Sequence, residues 1–182
     1  MSKRKVLGII GSPRKNGNTD ILIREILQAA EESGLETDSV YLYDCEIHPC
    51  TACDSCSKTK KCIHDDDMTG IIDKIGESSI LVLGTPVYWW GPSAQMKAFI
   101  DRWYGVDRSL FKGKDCLCVI PSGAESKHYS RHVVGMFEDI IPYVGMNLMK
   151  TIIASGHGPK GSVRNDTSLM EQAGSLGRGL NH

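Results

Sequence analysis

A chain of 182 residues is long enough to fold as one unit, burying roughly two-thirds of its unfolded surface without disulfide support. Charged residues make up 24% and the formal net charge is -1, which argues against a general nucleic-acid binder and against a disordered acidic tail. The apolar stretch Val6 to Ile10 is too short for a signal peptide or a membrane span, so a cytoplasmic location is expected.

Short β-branched runs alternate with longer amphipathic stretches, the pattern of strands joined by helices in a mostly parallel sheet. The first strand is expected over Lys5 to Ile10, ending in Gly11-Ser12-Pro13. Asn18 or Thr19 is the expected cap of a helix whose Ile21, Leu22, Ile26, Leu27 and Ala30 recur at helical spacing, and Gly34 stops it. A second strand, about Glu36 to Tyr43, opens into a cysteine-rich loop at about 45–67, and Asp67 is the expected cap of a short helix through Ile71, Ile72 and Ile75. The third strand, Ser79 to Gly84, runs into Thr85-Pro86-Val87-Tyr88-Trp89-Trp90-Gly91-Pro92 and a helix from Ser93 that carries Met96, Ala98, Phe99, Ile100 and Trp103. A fourth strand (about Lys114 to Ile120), a helix (about His128 to Ile140), a fifth strand (about Asn147 to Ala154) and a short helix from Asp166 or Thr167 follow. With no repeat and no linker, residues 1–182 read as a single doubly wound α/β domain. The expected strand order is 2-1-3-4-5, which places a ligand where strands 1 and 3 deliver their loops.

The loop after strand 1, Gly11-Ser12-Pro13-Arg14-Lys15-Asn16-Gly17-Asn18-Thr19, leads a buried strand into a helix N-terminus, where free amides and the helix dipole favour a phosphate. Ser12, Asn18 and Thr19 add short donors, and Arg14 adds a charge-assisted one. Neither G-x-G-x-x-G nor G-x-x-x-x-G-K-[ST] is present, so a monophosphate fits better than a dinucleotide or triphosphate. An ordinary turn-rich connection is the plain alternative. In the loop after strand 3, two prolines, a glycine and three aromatics offer a rigid backbone and flat apolar faces suited to a planar ring. These aromatics serve equally as core or subunit-interface residues.

Together, Gly11-Ser12-Pro13-Arg14 through Gly17-Asn18-Thr19, Thr85-Pro86-Val87-Tyr88-Trp89, and Ser93-Ala94-Gln95-Met96-Lys97-Ala98-Phe99-Ile100-Asp101-Arg102 resemble the NADPH-dependent FMN reductase family of flavodoxin-like proteins over nearly the whole chain. The resemblance implies a flavodoxin-like three-layer sandwich with FMN as cofactor. Ser12, Arg14, Asn18 and Thr19 would hold its phosphate, and Pro86, Val87, Tyr88 and Trp89 would meet its ring. Ser122, Gly123 and Ala124, after strand 4, would flank the other side by a looser match.

Seven cysteines in a reducing compartment point to metal or redox chemistry more than to disulfides. Cys50, Cys53, Cys56 and Cys62 give C-x2-C-x2-C-x5-C, in which three thiols at two-residue intervals can converge from one loop. Bacterial ferredoxin runs share the first spacings but place the fourth cysteine after three residues and before proline. Structural zinc draws two separated pairs, of which the second is missing here. A dithiol redox pair and an inert cluster stay open. Within the family, this motif resembles that of the iron-sulfur flavoproteins, which hold a 4Fe-4S cluster in this loop. Cys116 and Cys118, on one face of strand 4, and Cys45 read as packing residues. Asp65, Asp66 and Asp67 read as helix-start residues, Lys58, Lys60 and Lys61 as a solvated basic stretch, and His64 carries no assigned role.

The expected function is transfer of electrons between a 4Fe-4S cluster and FMN. By resemblance, a ferredoxin-type donor and a small acceptor (quinone, oxygen or peroxide) are expected, in a dimer or tetramer that brings cluster and flavin together across subunits. Alternatives are a cluster-free reductase with NAD(P)H as co-substrate, a flavodoxin-like carrier without enzymatic activity, and a zinc-stabilised binding module.

Overall fold

The computed structural model describes residues 4–181. Strands β1 (Lys5–Ile10), β2 (Glu36–Tyr41), β3 (Ile80–Gly84), β4 (Asp115–Pro121) and β5 (Asn147–Ala154) form a parallel sheet in the order β2-β1-β3-β4-β5. Parallel neighbours need long crossovers, and these contain α1 (Asn18–Glu32), α2 (Ser55–Thr59), α3 (Met68–Glu77), α4 (Ala94–Asp101) and α5 (Arg131–Tyr143), with α6 (Thr167–Gly179) following β5.

Side-chain alternation along the inner strands sorts the core into two halves. Leu7, Ile9, Leu81 and Leu83 pack with α3, α4 and α5, whereas Val6, Ile10, Ile80 and Val82 pack with α1 and α6. Burial on both faces explains why β1 and β3 read as continuous apolar runs. β2 is an edge strand of polar sequence, Glu36-Thr37-Asp38-Ser39, with only Val40 buried, a composition that discourages edge-to-edge pairing. The result is the flavodoxin-like three-layer sandwich with the expected strand order.

Local details depart from the sequence-based expectations where a side chain has a stronger partner elsewhere. Gly17, not Asn18 or Thr19, occupies the N-cap of α1; Asn18 instead sends its amide to the carbonyls of His157 (2.6 Å) and Pro159 (3.0 Å). At α3 the Asp67 side chain makes no cap, because its Oδ2 accepts the Glu46 amide at 2.7 Å. The neighbouring Asp66 accepts Met68 N–H. β2 ends at Tyr41 in a 3-10 turn over Leu42–Asp44, and Trp103 falls in another turn beyond α4. Asp166 does cap α6, accepting Leu169 N–H at 3.0 Å, and Gly34 ends α1 with φ +93°, a conformation other residues resist.

One close approach places the ligand end of the fold. A Cβ at Gly84 would lie 2.4 Å from Ile23 Cδ1 and 2.8 Å from Thr19 Cγ2. Only glycine lets the first turns of α1 rest on the end of β3, which brings the helix N-terminus to the point where strand order reverses.

Candidate functional site

Four loops meet at the carboxyl ends of the strands. Ser12, Arg14, Asn18 and Thr19 after β1, Pro86, Val87 and Tyr88 after β3, Ser122 and Gly123 after β4, and His157 and Gly158 after β5 line one cleft. An adjoining hollow is lined by Val87, Trp89, Trp90, Ser122, Gly123, Ala124 and Tyr129. Every cofactor-binding candidate read from the sequence therefore lies in one of two neighbouring depressions.

The first loop is fixed from beneath. Ser12 is buried and its Oγ accepts the Arg14 amide at 3.2 Å, while the Arg14 side chain is exposed. Fully buried Asp20 accepts Asn16 N–H (2.6 Å) on Oδ2, and Arg24 Nε (2.6 Å) and Tyr41 O–H (2.5 Å) on Oδ1. Asn16 holds φ +58°, so the carboxylate fastens the residue whose backbone is least comfortable. The same contacts raise the proton affinity of both partners. Burial and then Asp20 push the Tyr41 hydroxyl up, and Tyr41 and then Asp20 raise Arg24. The Asn18 amide spends both N–H groups on the 157–159 segment, so that side chain braces the cleft.

After β3, Thr85 Oγ1 accepts Ser93 N–H at 2.9 Å and Val87 N–H reaches Pro121 O at 3.2 Å. Tyr88 and Gly91 then exchange backbone bonds (2.9 and 3.0 Å) around a two-residue turn. Trp89 and Trp90 occupy it at φ +48° and +62°, with Trp89 92% exposed. Left-handed turn positions favour Asn and Gly, so the two indoles are displayed at a local conformational cost. The loops after β4 and β5 lock together through His157 N–H to Ser122 O (2.9 Å) and Gly156 N–H to Ala124 O (2.8 Å).

The cysteine loop is closed at its neck by Glu46 and Asp67, which exchange two bonds, and by His48 N–H to Asp66 (3.0 Å). Within it, Ala52, Asp54 and Lys60 adopt positive φ, turning the chain repeatedly around one hollow. Cys50, Cys53, Cys56 and Cys62 all line that hollow, together with His64, Arg102, Tyr104 and Gly105. Gly105 lies against Cys56 and Cys62: a Cβ there would sit in ordinary contact, 3.4 Å from Cys56 Cβ, 3.6 Å from Cys56 Sγ and 4.0 Å from Cys62 Cβ. The Ser55 amide, opposed by slight burial and helped by the Ser55 and Thr51 hydroxyls, lowers the Cys53 thiol below its ordinary value. Four thiols lining one hollow, one of them with a lowered proton affinity, fit an anionic thiolate-bound group. Among the described residues, no group of three or more His, Cys, Asp or Glu side chains is placed to hold a metal ion. Cys116 and Cys118 lie in the core as expected, and half-buried Cys45 donates to Tyr41 O at 3.3 Å.

A model of NADPH-dependent FMN reductases matches residues 4–160. The chain belongs to the NADPH-dependent FMN reductase family. An iron-sulfur flavoprotein of Methanocaldococcus jannaschii is 47% identical over 98 residues, 54% of this chain and 51% of that protein. A Bacillus subtilis protein named as an NAD(P)H-dependent FMN-containing oxidoreductase is 28% identical over 180 residues, 94% of this chain and 96% of its own. The chain spans about half the length of the iron-sulfur flavoproteins it matches first. The structure of the Trp repressor binding protein from Bacillus subtilis shares the fold, with a TM-score of 0.73 at 24% identity over 95% of this chain and 98% of that one. No helix among the described residues is long and apolar enough to cross a membrane.

For this member of the FMN reductase family, sequence reading passed over Asp20, His157 and Arg102. Asp20 looks like an ordinary acidic residue in the first turn of a helix, and nothing local ties it to Asn16 and Tyr41. His157 follows β5, a strand without a recognisable loop motif, yet its Nε2 sits 3.3 Å from the capping Asp166 in the cleft wall. Arg102 ends the Met96-to-Arg102 run, and its partners Asp66 and His48 are distant in sequence.

Proposed function

We propose that this protein is an FMN-dependent oxidoreductase of the iron-sulfur flavoprotein type. In this reading FMN occupies the cleft at the ends of β1, β3 and β4, and Cys50, Cys53, Cys56 and Cys62 hold a 4Fe-4S cluster. Ser12, Arg14, Thr19 and the opening amides of α1 bind the phosphate, while Asn18 anchors the far wall. Pro86, Val87, Tyr88 and Trp89 face the isoalloxazine from one side and Ser122, Gly123 and Ala124 from the other. When bound, FMN supplies one- and two-electron chemistry and the cluster supplies one-electron transfer. The chain's part is to seat both groups, exclude water from the ring and set the fields around them.

The observation that carries this reading is the position of α4. Its N-cap Ser93 closes the ring loop, with Oγ accepting Met96 N–H and donating to Gly11 O. The residues just past its other end, Arg102, Tyr104 and Gly105, form a wall of the cysteine hollow. Eight helical residues span about 12 Å at the usual rise, so one short element relates the two hollows within a single chain. The exposed Lys58, Lys60 and Lys61 beside the cysteines suit an acidic one-electron protein donor such as a ferredoxin. The open hollow beside Trp89 suits a small acceptor such as a quinone, oxygen or peroxide. The exposed Tyr88, Trp89, Tyr104 and Tyr143 suit burial against a second copy in a dimer or tetramer.

A second reading, direct reduction of FMN by NAD(P)H without a cluster, draws support from the near full-length match to the Bacillus subtilis oxidoreductase. Anaerobic visible spectra separate the two. Bleaching of a broad iron-sulfur band together with the flavin peaks by a one-electron donor supports the first reading. A flavin-only spectrum bleached rapidly by NADPH supports the second.

A further inference from the structure

One wall of the cysteine hollow carries a buried arginine and a histidine nitrogen that has no protein partner. Arg102 has a side chain only 3% exposed. Its Nη1 donates to His48 O (2.9 Å) and Asp66 Oδ2, and its Nη2 donates to Asp66 Oδ1 (3.1 Å). A guanidinium has five N–H donors, and this one lines the same hollow as Cys62. On the same wall His64 stacks on His48, with centroids 5.2 Å apart and planes inclined by 6°. The Nε2 atom of His64 is buried without any hydrogen-bond partner. Leaving a buried polar atom unpaired costs about 1–3 kcal/mol, which a protein tolerates where a non-protein group completes the site.

We propose that Arg102 and His64 are positioning residues for the cluster, supplying N–H donors to sulfur. Arg102 donates to the Cys62 thiolate, and His64, with its proton on Nε2, donates to the bound cluster. This rests on the cluster reading above. Donors aimed at cluster sulfur favour the reduced, more negative state and raise the reduction potential. Asp66 neutralises the formal charge of Arg102, so the direction of the N–H groups matters more than the charge. Lysine at 102 keeps the charge but lacks the planar fork that holds Asp66 and His48 while facing the hollow.

The test is an EPR-monitored redox titration, with iron counting, on reconstituted wild type, Arg102→Lys and His64→Phe. The phenylalanine keeps a ring on His48 and removes the nitrogen, so it serves even where the Arg102 variant folds poorly. Wild type is expected to load iron, and each loaded variant to show at least a tenfold lower reduced-to-oxidised ratio at fixed potential, about 59 mV for a one-electron couple. Iron-loaded wild type with an unchanged potential in His64→Phe overturns the inference while leaving the cluster in place. Wild type that takes up no iron instead removes the cluster reading on which it rests.

Discussion

Replacing Asp20 with alanine tests how the phosphate loop is held. The wild-type carboxylate is fully buried and accepts from Asn16 N–H, Arg24 Nε and Tyr41 O–H, all at 2.5 to 2.6 Å. Arg24 is 62% exposed and recovers water, so its loss counts for little. Asn16 N–H and Tyr41 O–H lose a charged acceptor in a part-buried setting, at about 1.5 kcal/mol each or somewhat more. The sum, about 3 kcal/mol, corresponds to a fall in Tm of roughly 6–12 °C for a chain of this size. Asn16 also loses the bond that stabilises its left-handed backbone, so FMN should bind at least about tenfold more weakly, equivalent to about 1.4 kcal/mol. Asp20→Asn keeps an acceptor and should fall between the two. Thermal melts of the apoprotein and fluorescence titration with FMN measure both effects. An Asp20→Ala protein that melts within about 2 °C of wild type and binds FMN equally well refutes the bracing role.

Arg14→Ala should raise the FMN dissociation constant about tenfold through loss of one charge-assisted bond while leaving Tm unchanged, because the side chain is exposed; fluorescence titration and a melt check the pair. Cys53→Ala should abolish iron incorporation and spare FMN, and unchanged iron content contradicts its assignment as a ligand. Gly84→Ala, whose Cβ would meet Ile23 Cδ1 at 2.4 Å, should cost about 1–3 kcal/mol by overpacking, read from urea unfolding. Burial alone would raise the Asp66 pKa, but Arg102 and the amides of His48 and Met68 override it and hold the carboxyl at about 2. A depressed carboxylate stabilises the fold above its unfolded pKa, near 3.9, and the contribution vanishes as pH falls towards 2. Apoprotein stability should therefore drop by about 2 kcal/mol from this group over that window, a loss that Asp66→Asn should lack in urea unfolding across the same pH range.

The fold was legible because its signals are local and repeat. Apolar runs such as Val6 to Ile10 and Ile80 to Leu83 mark strands buried on both faces, and helical periodicity from Ile21 to Ala30 marks the crossover between them. The cleft was legible where one loop carries its own chemistry, as with Ser12 to Thr19 and Pro86 to Trp89. What escaped depends on partners far apart in the chain. Asn18 looks like a cap until His157 and Pro159 arrive to take its amide. Asp66 looks like a helix-start residue until Arg102, 36 positions on, reaches it. The cysteine spacing indicated that the thiols could converge, but the wall opposite them, Arg102 to Gly105, belongs to another crossover and has no motif.

The most direct measurement is anaerobic quantification of flavin, iron and acid-labile sulfide in the same purified, reconstituted sample. Electron exchange between a cluster and FMN requires roughly one FMN and about four irons and four sulfides per chain, with iron lost and FMN kept in Cys53→Ala. Stoichiometric FMN with no iron in the wild-type protein contradicts it.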